Sequence, residues 1–209
     1  MKDVSDKTKS HLTKVYFNLL ICSGISALAM YINAYTFLIT GFFSEILVLI
    51  GLGYLVFKVC DKSQKEVTRL GYLWALAFAM GYLVGPALHL IAEIDQMILV
   101  NAVVYTAIMF GSFTAISLFS KRRSYLFLGG VIFSLSSAMF WYSLTSWLVG
   151  NGFKTDSLLY IMTGLLMACL YIIYDTQIII EKAERGDKNV PEHTMTLFID
   201  LFDLFIRIV

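Results

Sequence analysis

Apolar runs of about 20 residues alternate with short polar clusters along the whole chain, the length at which an α-helix crosses a hydrocarbon core of about 30 Å. The pattern predicts helices over 15–38, 42–60, 69–92, 97–119, 124–149 and 156–181, and a shorter seventh over 194–209. A membrane barrel would instead alternate polar and apolar residues in segments of about 10, and no such segment is found. The fold class expected is an all-α polytopic membrane protein. Residues 1–14 form a polar cytosolic N-terminal segment and 15–209 a single seven-helix domain, because the loops are too short for a second one. The apolar run after MKDVSDKTKSHLTK lacks a small-residue cleavage site and reads as a first membrane helix, not a removable signal.

Composition sharpens this picture. The chain is 58% hydrophobic and 15% charged, against about 25% charged in soluble domains. Its net charge of +1 argues against a nucleic-acid partner; the partner expected from composition is the lipid membrane. Cys22, Cys60 and Cys169 are scattered without CxxC spacing, so neither a disulfide framework nor a cysteine metal site is expected.

The charges are also sided. Lys2, Lys7, Lys9 and Lys14 precede the first helix, and Lys58, Lys62, Lys65 and Arg69 lie between the second and third. Lys121, Arg122 and Arg123 lie between the fourth and fifth, and Lys182, Arg185 and Lys188 follow the sixth. The opposite loops, near 39–41, 92–96 and 150–155, hold only Lys154. The positive-inside rule then makes the N-terminus and the 182–193 loop cytosolic. The seventh segment spans roughly 24 Å at 1.5 Å per residue, short of the core, and carries Asp200, Asp203 and Arg207. It is either a helix shielded by the other six or a re-entrant segment, since both are tolerated when buried in protein. The chain stops at Val209 without a polar exit, as a truncated chain would.

Two acids carry the candidate chemistry. Asp175 interrupts the apolar sixth helix, seven residues before Lys182, and Asp200 lies seven residues after His193. Each therefore sits roughly 10 Å below the cytosolic boundary, on helices made antiparallel by the intervening loop. A carboxylate in hydrocarbon is costly and is usually functional. Two close carboxylates cannot both ionise cheaply, so they titrate as a unit. Protonated, the pair can hold two helices through a carboxylic acid hydrogen bond. Deprotonated, it repels and attracts a cation, and its hard oxygens suit a transient Ca²⁺. The alternative is that each acid bonds separately to hydroxyls or to a basic residue. Asp203, one turn beyond Asp200, either widens the acidic site or pairs with Arg207 at i+4.

Glu45, opening the second helix on the non-cytosolic side, is either an interfacial acid or a ligand at the outer mouth of a cation path. His89, Glu93 and Asp95 read as solvated interface residues. Lys58, Lys65 and Arg69 are candidate counter-charges to the carboxylates, or ordinary cytosolic anchors. Pro86, after Gly85, kinks the third helix by removing a backbone hydrogen bond, and Gly129-Gly130 permits close helix approach in the fifth.

Three stretches, KRRSYLFLGG (121–130), DTQIIIEKAERGD (175–187) and LFIDLFDLF (197–205), resemble the Bax inhibitor-1 family, the transmembrane Bax inhibitor motif proteins. TRLGYLWALAFAMGYLVGPAL (68–88) resembles its third-helix region, and the likeness, closest to eukaryotic members, runs from about residue 12 to the end. The resemblance implies seven helices with the last one central and six around it. It implies a pH-sensitive calcium leak that moves calcium against a background of protons, needs no cofactor and is not an enzyme. The membrane implied is the endoplasmic reticulum, or the plasma membrane in bacteria. It further implies suppression of cell death and association with Bcl-2-family proteins. The family's paired aspartates fall on Asp175 and Asp200, and the basic residue that closes their site falls on Lys65 or Arg69. Two departures stand out: Asp203 adds an acid, and the family's lysine-rich cytosolic tail is missing after Val209.

Three functions follow in order of weight. The first is a proton-gated calcium leak governed by Asp175 and Asp200. The second is a membrane interaction protein that restrains death-promoting partners without transport. The third is an aspartyl intramembrane protease, with Tyr174-Asp175 matching one half of such a dyad while Leu-Phe-Ile-Asp200 lacks the GxGD of the other.

Overall fold

The structure, a computed structural model, describes residues 4–36, 42–121, 123–149 and 157–209; side chains at 35, 36 and 42–45 lie outside that description. Among the described residues there are seven helices and no strand: α1 (Asp6–Thr36), α2 (Phe42–Cys60), α3 (Glu66–Ile94), α4 (Gln96–Phe119), α5 (Leu128–Leu148), α6 (Leu158–Glu184) and α7 (Val190–Ile208). Five of them, α1, α3, α4, α5 and α6, are long and apolar enough to cross a membrane. The described apolar part of α2, Ile46–Cys60, is shorter, and α7 carries too much charge to count on composition. The molecule is a polytopic helical membrane protein.

α1 and α7 begin well before the positions that hydropathy predicts. α1 starts at Asp6 and not near 15, because Ser5 accepts the Thr8 amide on its side chain at 3.3 Å and starts the helix in the polar segment. Thr8, His11 and Leu12 are buried there. α7 starts at Val190 and not at 194. Asn189 caps it: its Oδ1 accepts the Glu192 amide at 3.5 Å, and its Nδ2 donates to Glu192 Oε2 at 2.5 Å. Pro191 sits in the first turn, where a missing N–H costs nothing. α5 starts at Leu128 and not at 124, after a turn in which Arg123 takes a left-handed φ of 65°.

The chain forms two compact units, and α4 and α7 each contribute to both. The first holds Ser5–Asn101 with Gly186–Ile199. Here α3 packs on α1 and α2. Gly81 and Gly85, four apart, leave room for the α1 backbone: a Cβ on Gly85 would stand 2.8 Å from Met30 O. Ser26 faces Gly81 and Asn33 faces Gly85, so α1 and α3 run in the same direction, as alternate crossings require. Pro86 lies within α3 and leaves the Tyr82 carbonyl without its helical donor. Asn33 Nδ2 donates to that carbonyl at 2.6 Å, so the break in the ladder is repaired from α1.

The second unit holds Ala102–Arg185 with Asp200–Val209. α5 packs on α6 around Leu128, Ile132 and Ile173. The Tyr174 ring lies on Gly129, where a Cβ would come within 2.8 Å of it, whereas Gly130 meets nothing. Ser117 Oγ donates to Ile173 O at 3.0 Å, and Gln177 Nε2 donates to Ser117 O at 2.7 Å, pinning α4 to α6.

Polarity is distributed as lipid demands. Phe17, Leu20, Leu47, Phe57, Phe133 and Leu159 are exposed, while Thr106, Thr114, Ser117, Thr176 and Gln177 are buried. Trp141, Trp147, Tyr105 and Tyr142 are about half exposed, as interfacial anchors are.

Candidate functional site

α6 and α7 carry the acids. The Asp175 and Asp200 carboxyls lie close enough to act on one another. Gly164 meets the Arg207 guanidinium, so positions pair with falling number on one helix and rising number on the other, and the two run antiparallel. Asp200 is 8% exposed, and its Oδ2 has no partner among the described residues. Two carboxyls can hydrogen-bond only when one of them holds a proton, because ionised carboxylates are acceptors only. Two carboxyls this close can share one proton. The nearest cation on α6 is Lys182, whose field reaches Asp175.

Asp203 resolves in favour of its partner on the same helix. Arg207 Nε donates to Asp203 Oδ2 at 2.8 Å, with both side chains partly exposed. Asp203 still acts electrostatically on Asp200. Glu45 lies on α2 among the side chains outside the described residues. His89 pairs with Glu93 at 3.4 Å, and Asp95 caps α4 by accepting the Met97 amide at 2.8 Å. Lys58 lies over the Tyr54 ring, 5.5 Å from its centroid.

Lys65 is the exposed N-cap of α3 and makes no side-chain cap bond. Arg69 is buried, 6% exposed, and its Nε donates to Val59 O at 2.7 Å, closing the C-terminal end of α2. Both belong to the unit of α1, α2 and α3.

Three polar contacts escaped sequence reasoning. His11 and His193 share a buried hydrogen bond of 2.8 Å, 182 positions apart. Glu181, inside the EKAERGD stretch, is clamped by Arg123 and by Arg185 Nε, the latter at 2.7 Å. Arg69 is the third: its burial has no local signal, because a lone basic residue next to a loop looks like an anchor. For Glu181 a signal existed in the i+4 arginine; for the histidines none did.

The chain matches, over residues 8–209, the family model described as Inhibitor of apoptosis-promoting Bax1. It is 37% identical to Bax inhibitor 1 of Rattus norvegicus over 211 residues, covering 98% of this chain and 86% of the relative. It is 35% identical to Bax inhibitor 1 of Homo sapiens, with 98% and 86% covered. Bax inhibitor 1 of Arabidopsis thaliana is 34% identical, with 99% and 82% covered.

Proposed function

Because the chain belongs to the Bax inhibitor-1 family, we propose that it is a pH-sensitive calcium leak of the endoplasmic reticulum membrane that suppresses apoptosis. The observation that carries this reading is the close approach of the Asp175 and Asp200 carboxyls on neighbouring antiparallel helices. With one proton between them the pair clamps α6 to α7. When the proton leaves, like charges in a dry site repel, the clamp weakens and the oxygens face a cation instead. Ca²⁺ takes about six to eight oxygen ligands, so two carboxylates hold it weakly, which suits an ion that must also leave. Flux should therefore rise as pH rises through the pair's titration.

The test is Ca²⁺ flux into liposomes holding the purified chain, followed from mildly acidic to mildly basic pH, because coupled carboxyls lose their protons as a pair. Asp175→Asn and Asp200→Asn should each flatten the pH response. Unchanged flux and pH dependence in both variants would sink the proposal.

A second reading draws on the family's description, which makes Bax1 the object of inhibition. In it the chain is a non-transporting partner of Bcl-2-family proteins, and the aspartates serve helix packing. The relatives' names are those of regulators, not of enzymes. Absence of flux in pure lipid at any pH selects this second reading.

A further inference from the structure

The polar turns that start α1 and α7 each bury one stripe of side chains. On α1 it is Thr8, His11, Leu12 and Val15. On α7 it is Val190, His193, Thr194 and Leu197. Both follow the i, i+3, i+4, i+7 spacing of one helix face, and each has a histidine at its second position. The lysines flanking the α1 stripe, Lys7 and Lys14, are exposed. The stripes meet at the histidines. His11 Nε2 and His193 Nδ1 are hydrogen-bonded at 2.8 Å, with the rings edge to face and their centroids 5.1 Å apart. Beside them Thr194 Oγ1 donates to Val15 O at 3.4 Å. His11 is 4% exposed and His193 1%, and all of these residues belong to one unit.

A contact of this kind depends on its proton count. Between two neutral imidazoles one ring donates its N–H and the other accepts on a bare nitrogen. A first added proton leaves that acceptor in place, so the bond survives as a charge-assisted one. A second removes it: both facing nitrogens then carry hydrogens, and two cations stand against each other in a buried site. The other charges acting on His11 are mixed in sign. Lys14 on α1 and Lys188 before α7 oppose a charge on the ring, while Glu66 in the first turn of α3 and Asp187 favour one. On α7 the neighbour of His193 is Glu192, whose carboxyl is bonded by Asn189 and lies 4.0 Å from Lys62 of the α2–α3 turn. Both histidines precede the apolar runs of their helices, so fraying of these first turns is enough to let protons exchange.

We infer that the His11–His193 contact is an acid-released latch, which holds the first turns of α1 on the first turns of α7 and lets go when both rings become charged. Release frees one end of the helix that bears Asp200. The inference does not rest on the calcium reading, and its test involves no flux.

The experiment places the full chain in phosphatidylcholine nanodiscs and follows amide hydrogen exchange over residues 7–16, corrected for the intrinsic rate at each pH. It runs from about pH 8 to about pH 5, the window in which histidine changes charge. Protection should fall about ten-fold across that window, the order of one net hydrogen bond. His11→Gln and His193→Gln should each remove the fall, because the glutamine carbonyl still accepts from a single charged ring. His89→Gln, on α3, should retain it. If neither variant at the latch folds, the wild-type chain decides. It has three histidines, and nitrogen NMR of their rings should show a coupling across an N–H···N bond between two of them at neutral pH that is lost in acid. Constant protection across the window, a fall that persists in either latch variant, or no coupling between any two rings overturns the inference.

Discussion

Asp200 and Asp203 sit three residues apart on α7 yet live in different surroundings. Asp200 is buried against Asp175, whereas Asp203 is partly exposed and held by Arg207 at i+4. Partly exposed pairs of this kind contribute about 0–1 kcal/mol. Asp203→Asn should therefore leave folding intact and alter the pH midpoint of flux far less than Asp200→Asn does; a liposome assay with the two variants side by side checks this. An equal or larger effect at Asp203 would mean that it, and not its neighbour, governs the path. That Asp175 and Asp200 could meet was suggested by their spacing to Lys182 and His193. The division of labour between Asp200 and Asp203 was not, since both i+4 pairing and a widened acidic site suited the same residues. Arg69 shows the same limit: its position beside a loop is visible in the chain, but its burial depends on the end of α2 coming to meet it.

Among the helices, the clearest dependence is that of α3 on α1. Pro86 orphans the Tyr82 carbonyl, and Asn33, 49 residues away, satisfies it. Asn33→Ala should cost about 1–3 kcal/mol, the penalty of an unpaired buried acceptor. Pro86→Ala restores the N–H of residue 86 and should make Asn33→Ala much less damaging. A double-mutant cycle by thermal unfolding in detergent measures the coupling, and additive losses would show that Asn33 does something else. The sequence announces Pro86 as a kink; that a particular asparagine of another helix repairs it follows only from α1 lying against Gly81 and Gly85. Boundaries behaved likewise. Hydropathy marks where lipid begins, so it misses the polar turns of α1 and α7 that Ser5 and the Asn189 cap start outside it.

For the molecule as a whole, the charge asymmetry implies an orientation that one thiol can test. Cys60 is exposed at the lysine-rich end of α2, while Cys22 and Cys169 are buried. A membrane-impermeant maleimide should label Cys60 alone, and only from the cytosolic side of sealed microsomes. Labelling of Cys60 from the lumen would reverse the orientation. The leak itself is answered by the flux experiment, in which lipid is the only companion of the chain.

Helix number, class and family are properties of the sequence alone, because each apolar run must satisfy its own backbone bonds in lipid and so folds as a helix wherever it lies. The lysine bias and the two intramembrane aspartates are equally local, being set by position along those runs. Tertiary structure decided which polar groups meet: Asp175 with Asp200, Asn33 with Tyr82, His11 with His193, Glu181 with its arginines, and Arg69 with Val59. Most of these contacts join residues far apart in the chain. They form because a buried donor or acceptor must find its partner across a helix interface, and no period or spacing along one helix encodes the face of another.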